Sequence, residues 1–400
     1  MPHSKTSSSD SNNHFFLYLI LGSIGLLTPF AIDMYLPAMP TIAKDFMVNS
    51  GVVQGTLTAY TAGFAIGQLL HGPLSDSYGR RPVLMIGIIF FAITSVVCAT
   101  TSSIEALLYM RFAQGFAGAA AAVIVQAIVR DMFDKEDFAR AMSFITLVIT
   151  ISPLMAPLVG GHLAVWFGWR SIFTALALVS VVVLIAVMFK IPETLSAENK
   201  QPLRFRTTMK NYYKLFTNPV AFGLIFCGAF SFAGMFAFIT AGSFVYIDIY
   251  GVRPDHFGYL FALNVVGMVL MTSFNGRAVR KMGSHWMLRF GLGCQTLAGV
   301  ALLVSWLCGF GLWAIVPSVI LFVGTISIIG SNSMGLLLSS YPKMAGTASS
   351  LAGTLRFGTG AVISAIIAFL PSGYVWPMVM AMFICSVLSV SAYYFLSRKA

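Results

Sequence analysis

Residues 71–84 read HGPLSDSYGRRPVL: two glycines, two prolines, an acid and two arginines set between long apolar runs. Glycine permits close helix approach and tight turns, so Gly72 and Gly79 mark a short connection between two helices. The same intervals recur later in the chain. Gly63, Gly72, Gly79, Leu84 and Gly87 match Gly267, Gly276, Gly283, Leu288 and Gly291 in register. A helix, loop and helix repeated in parallel point to a two-bundle transporter with its site between the halves, near the membrane midplane.

Composition supports a membrane protein. Of 400 residues, 58% are hydrophobic and only 9% charged, with mean hydropathy +0.86; soluble domains carry about 25% charged residues. A hydrocarbon core takes about 20 apolar residues per helix, which predicts twelve spans: 15–36, 52–74, 82–101, 104–129, 140–162, 170–190, 219–246, 257–276, 286–308, 312–338, 346–368 and 375–396. Residues 1–14, polar and rich in Ser and Asn, are expected to form a disordered tail. The apolar run that follows is too long for a signal peptide. The longest polar stretch contains QPLRFRTTMKNYYK and forms a linker over 191–218. The expected fold is therefore all-α: twelve transmembrane helices in two pseudo-symmetric six-helix bundles, 15–190 and 219–396, with a last tail at 397–400.

The net charge of +11 lies mostly in short loops, where it sets orientation. With the N-terminus inside, only Lys44, Arg170 and Arg253 fall in outer loops, which places both termini in the cytoplasm and argues against nucleic acid as a partner. The five cysteines lie in or beside apolar segments without CxxC spacing or a His cluster, so neither a disulfide framework nor a metal site is expected. There is no P-loop pattern and no gathering of catalytic acids, histidines or Ser/His pairs.

Four stretches carry chemistry. In the opening stretch, Asp76, Arg80 and Arg81 can form an ion-pair cluster that breaks and re-forms as bundles rock; the bland alternative is a solvated loop. YMRFAQGFAGAA, residues 109–120, places Arg111 inside the membrane, where a charge usually marks a pathway, unless it snorkels outward. Gln114, Gly115 and Gly118 follow at helical spacing. SPLMAPLVGG, residues 152–161, holds Pro153, Pro157, Gly160 and Gly161; prolines bend a helix, and a merely kinked helix is the alternative. PFAIDMYLPAMP, residues 29–40, holds Asp33, the one charge between Phe15 and Ala43. Every other carboxylate falls in a tail, in a loop or at a span end. His71 and His162 read as helix-end residues.

The loop signature and the Arg111 stretch, with the partial match of 152–161, resemble the major facilitator superfamily, specifically its twelve-span drug:proton antiporters. The third motif departs in lacking the family's usual leading glycine and in having Ala156 before Pro157. MRFAQGFAGAAAAVIVQAIVRD, SFAGMFAFITAGSFVYI (231–247) and MAGTASSLAGTLRFGTGA (344–361) look like its bicyclomycin- and chloramphenicol-resistance branch, and the resemblance runs from about Phe15 to Ser397.

The resemblance implies proton-driven efflux by alternating access, without enzyme chemistry or any cofactor beyond the proton gradient. It further implies a monomer in the bacterial inner membrane. Asp33 is then the proton-coupling acid and Arg111 its nearest candidate partner, either cyclically or in a permanent structural bridge. Some multidrug relatives carry a second acid where this chain has Gly25. One-proton exchange and a small neutral or weakly polar cargo (bicyclomycin, chloramphenicol, sulfonamides) follow as expectations. Tyr35, Tyr60, Gln68, Phe232, Met235, Phe236, Phe238, Asn264, Asn332 and Arg356 lie in cavity-forming helices, with ordinary packing as the alternative for most. Arg356, near mid-depth of its span, either contacts substrate or binds backbone carbonyls. An exporter or importer of an endogenous amino acid or peptide remains open, as does a membrane scaffold or receptor on a transporter fold.

Overall fold

The computed structural model describes residues 8–133, 135–196, 198, 200, 205–341, 344–371 and 373–397. The first half comprises α1 (Ser8–Asp33), α2 (Met39–Asp45), α3 (Ser50–Tyr78), α4 (Arg80–Thr100), α5 (Ile104–Met132), α6 (Lys135–Phe167) and α7 (Arg170–Lys190). The linker contributes α8 (Phe205–Thr217). The second half comprises α9 (Pro219–Ser243), α10 (Pro254–Met282), α11 (Ser284–Leu307), α12 (Leu312–Ser340), α13 (Ala345–Phe369) and α14 (Trp376–Ala392). No strand occurs among the described residues.

Among the described residues, 11 helices are long and apolar enough to cross a membrane. The twelfth long helix is α3, diluted by Gln54, Thr56, Thr61, His71 and Ser75, all buried. It can afford polar residues because it packs between bundles: α3 meets α5 on one side and α13 on the other. Helix starts follow local chemistry. Asn49 caps α3 by accepting from Val52 N at 3.1 Å, and Asn218, followed by Pro219, caps α9 at 3.0 and 3.2 Å, satisfying donors that a helix start leaves free.

The first span departs from expectation at both ends. Residues 1–7 of the expected tail lie outside the described residues, but α1 already begins at Ser8. It ends at Asp33, short of the expected 36. Pro37 has no N–H to offer the Asp33 carbonyl, and Pro40 none for Leu36. The chain instead turns, forms one 3-10 turn at Leu36–Ala38, and restarts as α2. In the expected linker, residues 201–204 lie outside the described residues, while α8 buries Tyr212 and Leu215 against the second bundle. Tyr212 Oη and Ser350 Oγ on α13 are 2.9 Å apart. Residues 398–400 of the last tail are likewise outside the described residues.

The bundles meet along two seams, α3 with α13 and α6 with α10. The loop 76–81 and α8 define one end of the molecule, here the linker end; α2 defines the far end. At the far end the contacts are made by backbone. A Cβ on Gly51 would strike the Ala368 carbonyl, and one on Gly258 would lie 2.8 Å from Leu158 Cα. Lys44 Nζ and Asp248 Oδ1 pair across the same end at 3.4 Å. At the linker end of the second half, Gly276, Gly335 and Gly346 have nothing within 4 Å of a Cβ position.

Candidate functional site

Arg111 lies two turns inside α5 and is fully buried, at 0% exposure. Its Nη2 donates to the Ala31 carbonyl at 3.0 Å, and its Nη1 to Gln114 Oε1 at 2.6 Å. Gln114 Nε2 in turn donates to Ser95 Oγ on α4 at 2.7 Å. Ala31 belongs to the last turn of α1, whose carbonyls have no helical donor and carry the negative end of the helix dipole. The guanidinium therefore finds its negative partner in the broken end of α1. Aromatic faces complete the enclosure: Tyr60 at 4.4 Å, Tyr35 at 4.7 Å and Phe173 at 5.7 Å from the guanidinium carbon, each attracted through its ring quadrupole.

Asp33 sits on that same broken end, 5% exposed. It makes no hydrogen bond or ion pair among the described residues. The alternative of a permanent Asp33 and Arg111 bridge is not formed here: Nη1 and Nη2 of the arginine go to Gln114 and Ala31 and its Nε has no partner, while a partnership that comes and goes with the transport cycle is not contradicted. Asp33 lies two residues beyond Ala31, whose carbonyl receives Arg111, so the acid and the arginine share the end of α1. Tight packing holds it. A Cβ on Gly115 would overlap the Tyr60 carbonyl, and one on Gly118 would lie 3.0 Å from Thr28 Oγ1 and 3.1 Å from Tyr60 Oη.

The opening loop is an ion cluster at the linker end. Arg80, buried, donates from Nη1 to Asp76 and to Ser75 Oγ at 2.8 Å, and from Nε to Asp131 Oδ2 at 3.2 Å. Glu193, beyond α7, accepts from the backbone N of Arg80 at 2.9 Å and of Arg81 at 3.3 Å. Arg81 makes no ion pair among the described residues; its Nη2 donates to the Met188 carbonyl at 2.6 Å. Gly79 has φ 111°, open to glycine alone at little cost, and a Cβ there would collide with Glu193. Gly72 is in ordinary contact, with Val123 3.9 Å from a Cβ position. The sequence reading missed Asp131 and Glu193. Their signal was placement: both acids fall on the loop's side of the membrane, at the end of one span and just beyond another.

In α6, Pro153 and Pro157 lie within an unbroken helix. The glycines after them face opposite ways. A Cβ on Gly160 would overlap the Met34 carbonyl just past the end of α1, and one on Gly161 would lie 2.8 Å from the Pro254 carbonyl of the second bundle.

The expected cavity residues divide. Tyr35 is buried beneath Arg111 with its hydroxyl 2.7 Å from Thr56 Oγ1, so it is part of the first bundle's core. Phe238 packs on Tyr246 and Phe261 at 5.7 and 5.9 Å, inside the second bundle and off the seam. Asn332 Nδ2 ties α12 to α10 through Asn275 Oδ1 at 2.8 Å. In this structure these three side chains pack or bond within their own bundles. Phe232 and Phe236 surround Phe357 at 5.1 and 5.9 Å, and Phe357 meets Phe64 of the first half at 4.4 Å. Met235 is half-buried beside them. Gln68 Oε1 and Asn264 Oδ1 are buried without a hydrogen bond. Arg356 lies over Phe232 at 4.6 Å and binds no backbone carbonyl among the described residues. His71 is inside α3 rather than at its end, bonded to the Gly67 carbonyl at 2.8 Å; His162 makes the same bond to Leu158. The cysteines are free, and no metal-holding group of His, Cys, Asp or Glu occurs among the described residues.

Residues 21–365 match the Major Facilitator Superfamily. A bicyclomycin resistance protein homolog of Haemophilus influenzae is 43% identical over 96% of this chain and 97% of its own length. A chloramphenicol resistance protein of Pseudomonas aeruginosa is 30% identical over 92% of this chain and 89% of its own. The xylose transporter XylE of E. coli, solved in a partially occluded inward-open conformation, superposes with TM-score 0.75 at 16% identity, covering 97% of this chain and 98% of that one. With two bundles meeting along paired seams, a charged site within the first and a match across both, the chain is a multi-pass membrane transporter of the Major Facilitator Superfamily.

Proposed function

We propose that this transporter is a proton-driven exporter of small neutral or weakly polar antibiotics, working by alternating access. The observation that carries the reading is Asp33: a membrane-depth carboxyl without a hydrogen bond or ion pair among the described residues, near an arginine whose two Nη atoms are bonded to Ala31 and Gln114. A buried carboxylate without a partner is costly to keep charged, and a proton is the simplest neutraliser. No salt bridge has to break before the proton arrives or leaves. In this reading Asp33 loads a proton from the far end, taken as the outside. Arg111 keeps the end of α1 in place while the halves exchange their far-end and linker-end contacts. The ion cluster at 76–81 opens and closes with them. The resistance proteins among the relatives support antibiotics as cargo, and the lone membrane carboxylate supports one proton per cycle. Loop charge supports both termini in the cytoplasm of a bacterium, with the chain in its inner membrane.

The test is growth of an efflux-deficient bacterium expressing the wild type, Asp33→Asn or Arg111→Ala at matched membrane levels, across bicyclomycin, chloramphenicol and sulfonamides. Resistance with the wild type that is lost with Asp33→Asn is expected, together with drug-induced proton release from energised vesicles by the wild type alone. Resistance unchanged in Asp33→Asn would sink the mechanism.

A further inference from the structure

The second bundle holds an arginine with no counter-ion. Arg356 lies 11 residues into α13, at about 1.5 Å of rise per residue well inside the membrane, with its guanidinium over the Phe232 ring. It makes no hydrogen bond or ion pair among the described residues. Nor does its bundle supply one: between Pro219 and Ser397 the only carboxylates are Asp248 and Asp255. Both lie at the far end, engaged by Lys44 at 3.4 Å and by Arg253 at 2.8 Å. A guanidinium presents five donors and no acceptor, and this one, half-buried, spends none of them on the described residues. The fold also makes room for it. A Cβ on Gly330 of α12 would lie 2.5 Å from Nη2, so the glycine is what lets the side chain reach its position.

That position opens onto a cavity of about 40 Å³ lined by Leu224, Gly228, Gly330, Ser333, Gly353 and Arg356. The volume exceeds the roughly 10–15 Å³ that one water requires and suits the polar end of a molecule rather than a whole one. Beside it, across the α3 and α13 seam, Gln68 of the first bundle lies 3.3 Å from the Cβ position of Gly353, with its Oε1 buried and unbonded. Unmatched donors on one bundle thus stand near an unmatched acceptor on the other, at the mouth of the aromatic cluster of Phe232, Phe357 and Phe64.

We propose that Arg356 receives the oxygen-acceptor end of the exported molecule, a carbonyl or carboxylate, while the phenylalanines take its apolar body. The assignment rests on the exporter reading above and narrows it. Cargo carries an acceptor oxygen, and organic cations are rejected by like charge at the second bundle. A guanidinium matches such oxygens with two parallel bonds, which a lysine does not reproduce.

The test uses the full-length protein in lipid nanodiscs, with binding read as ligand-induced thermal stabilisation. The probes are chloramphenicol (neutral, carbonyl-bearing), salicylate (a carboxylate) and tetraphenylphosphonium (a cation). The wild type should be stabilised by one or both oxygen-bearing probes and not by the cation. Arg356→Gln and Gly330→Ala, which displaces the guanidinium without removing it, should weaken that binding by roughly tenfold or more. Arg356→Lys should fall between, and Arg356→Gln should gain affinity for the cation, a change of preference that mere loss of packing does not produce. If Arg356→Gln does not fold, Gly330→Ala and Arg356→Lys decide by the same readout. Unchanged affinity in the folded variants would overturn the assignment, as would binding of the cation by the wild type or stabilisation by none of the probes. Asp33-dependent resistance in cells would in each of those cases leave the exporter reading standing.

Discussion

The two copies of the repeated loop share a backbone and differ in charge. Gly79 and Gly283 adopt the same left-handed turn, φ 111° and 82°, and each joins two long helices. Around Gly79 the chain packs an acid onto the turn and buries Arg80 among Asp76, Ser75 and Asp131. Around Gly283 nothing lies within 4 Å of a Cβ position, and Ser284 follows where the first copy has Arg80. The glycines are thus a device of the fold, needed twice, while the ion cluster was added to one copy. The same division holds at depth: the first bundle has Asp33 and an Arg111 bonded to Ala31 and Gln114, the second an Arg356 whose guanidinium bonds no described residue and no acid within its spans.

The comparison can be broken most severely at Asp33. Asp33→Asn should abolish resistance and drug-driven proton movement while leaving membrane level and thermal unfolding near the wild type, because the residue makes no bond to lose. Next comes the loop. Arg80→Ala removes the buried cation shared by Asp76 and Asp131; because Asp76 is half-exposed, the cost should fall below the roughly 3–5 kcal/mol of a fully buried pair. Resistance and unfolding temperature in detergent should both fall, whereas Ser284→Ala should change neither. Smaller is the contrast between the glycines. An alanine in either turn carries strain of about 1–3 kcal/mol, so both should unfold earlier, but Gly79→Ala also meets Glu193 and should lose more. Equal losses would mean that the Glu193 contact is slack. Smallest is Lys44→Ala at the far end. An exposed ion pair is worth about 0–1 kcal/mol, so its unfolding temperature should barely move.

Much of the fold could be read from apolar lengths and from the glycine repeat, because both are local in sequence. What could not be read was settled by partners far apart. The capture of Arg111 by the Ala31 carbonyl leaves no trace in composition, since any residue at a helix end exposes a carbonyl. Pro37 and Pro40 were visible, yet ending α1 at Asp33 depended on counting which carbonyls each proline leaves without a donor. Asp131 and Glu193 were legible as acids on one side of the membrane but not as partners of Arg80 and the turn after it. In α8 the basic residues of the linker masked the amphipathic pair Tyr212 and Leu215, which bind it to the second bundle.

Gly161, Gly51 and Gly258 have a consequence for leakage. At each, an added Cβ would meet the backbone of the opposite bundle, which cannot rotate to fill a partial gap. A seal of this kind is either shut or broken along its whole length. For a transporter standing between two compartments at different electrochemical potential, a half-open seal is a short circuit for ions. Rigid glycine seams make intermediate gaps sterically unrewarding, so larger residues there should first appear as uncoupled ion flux in an otherwise folded protein.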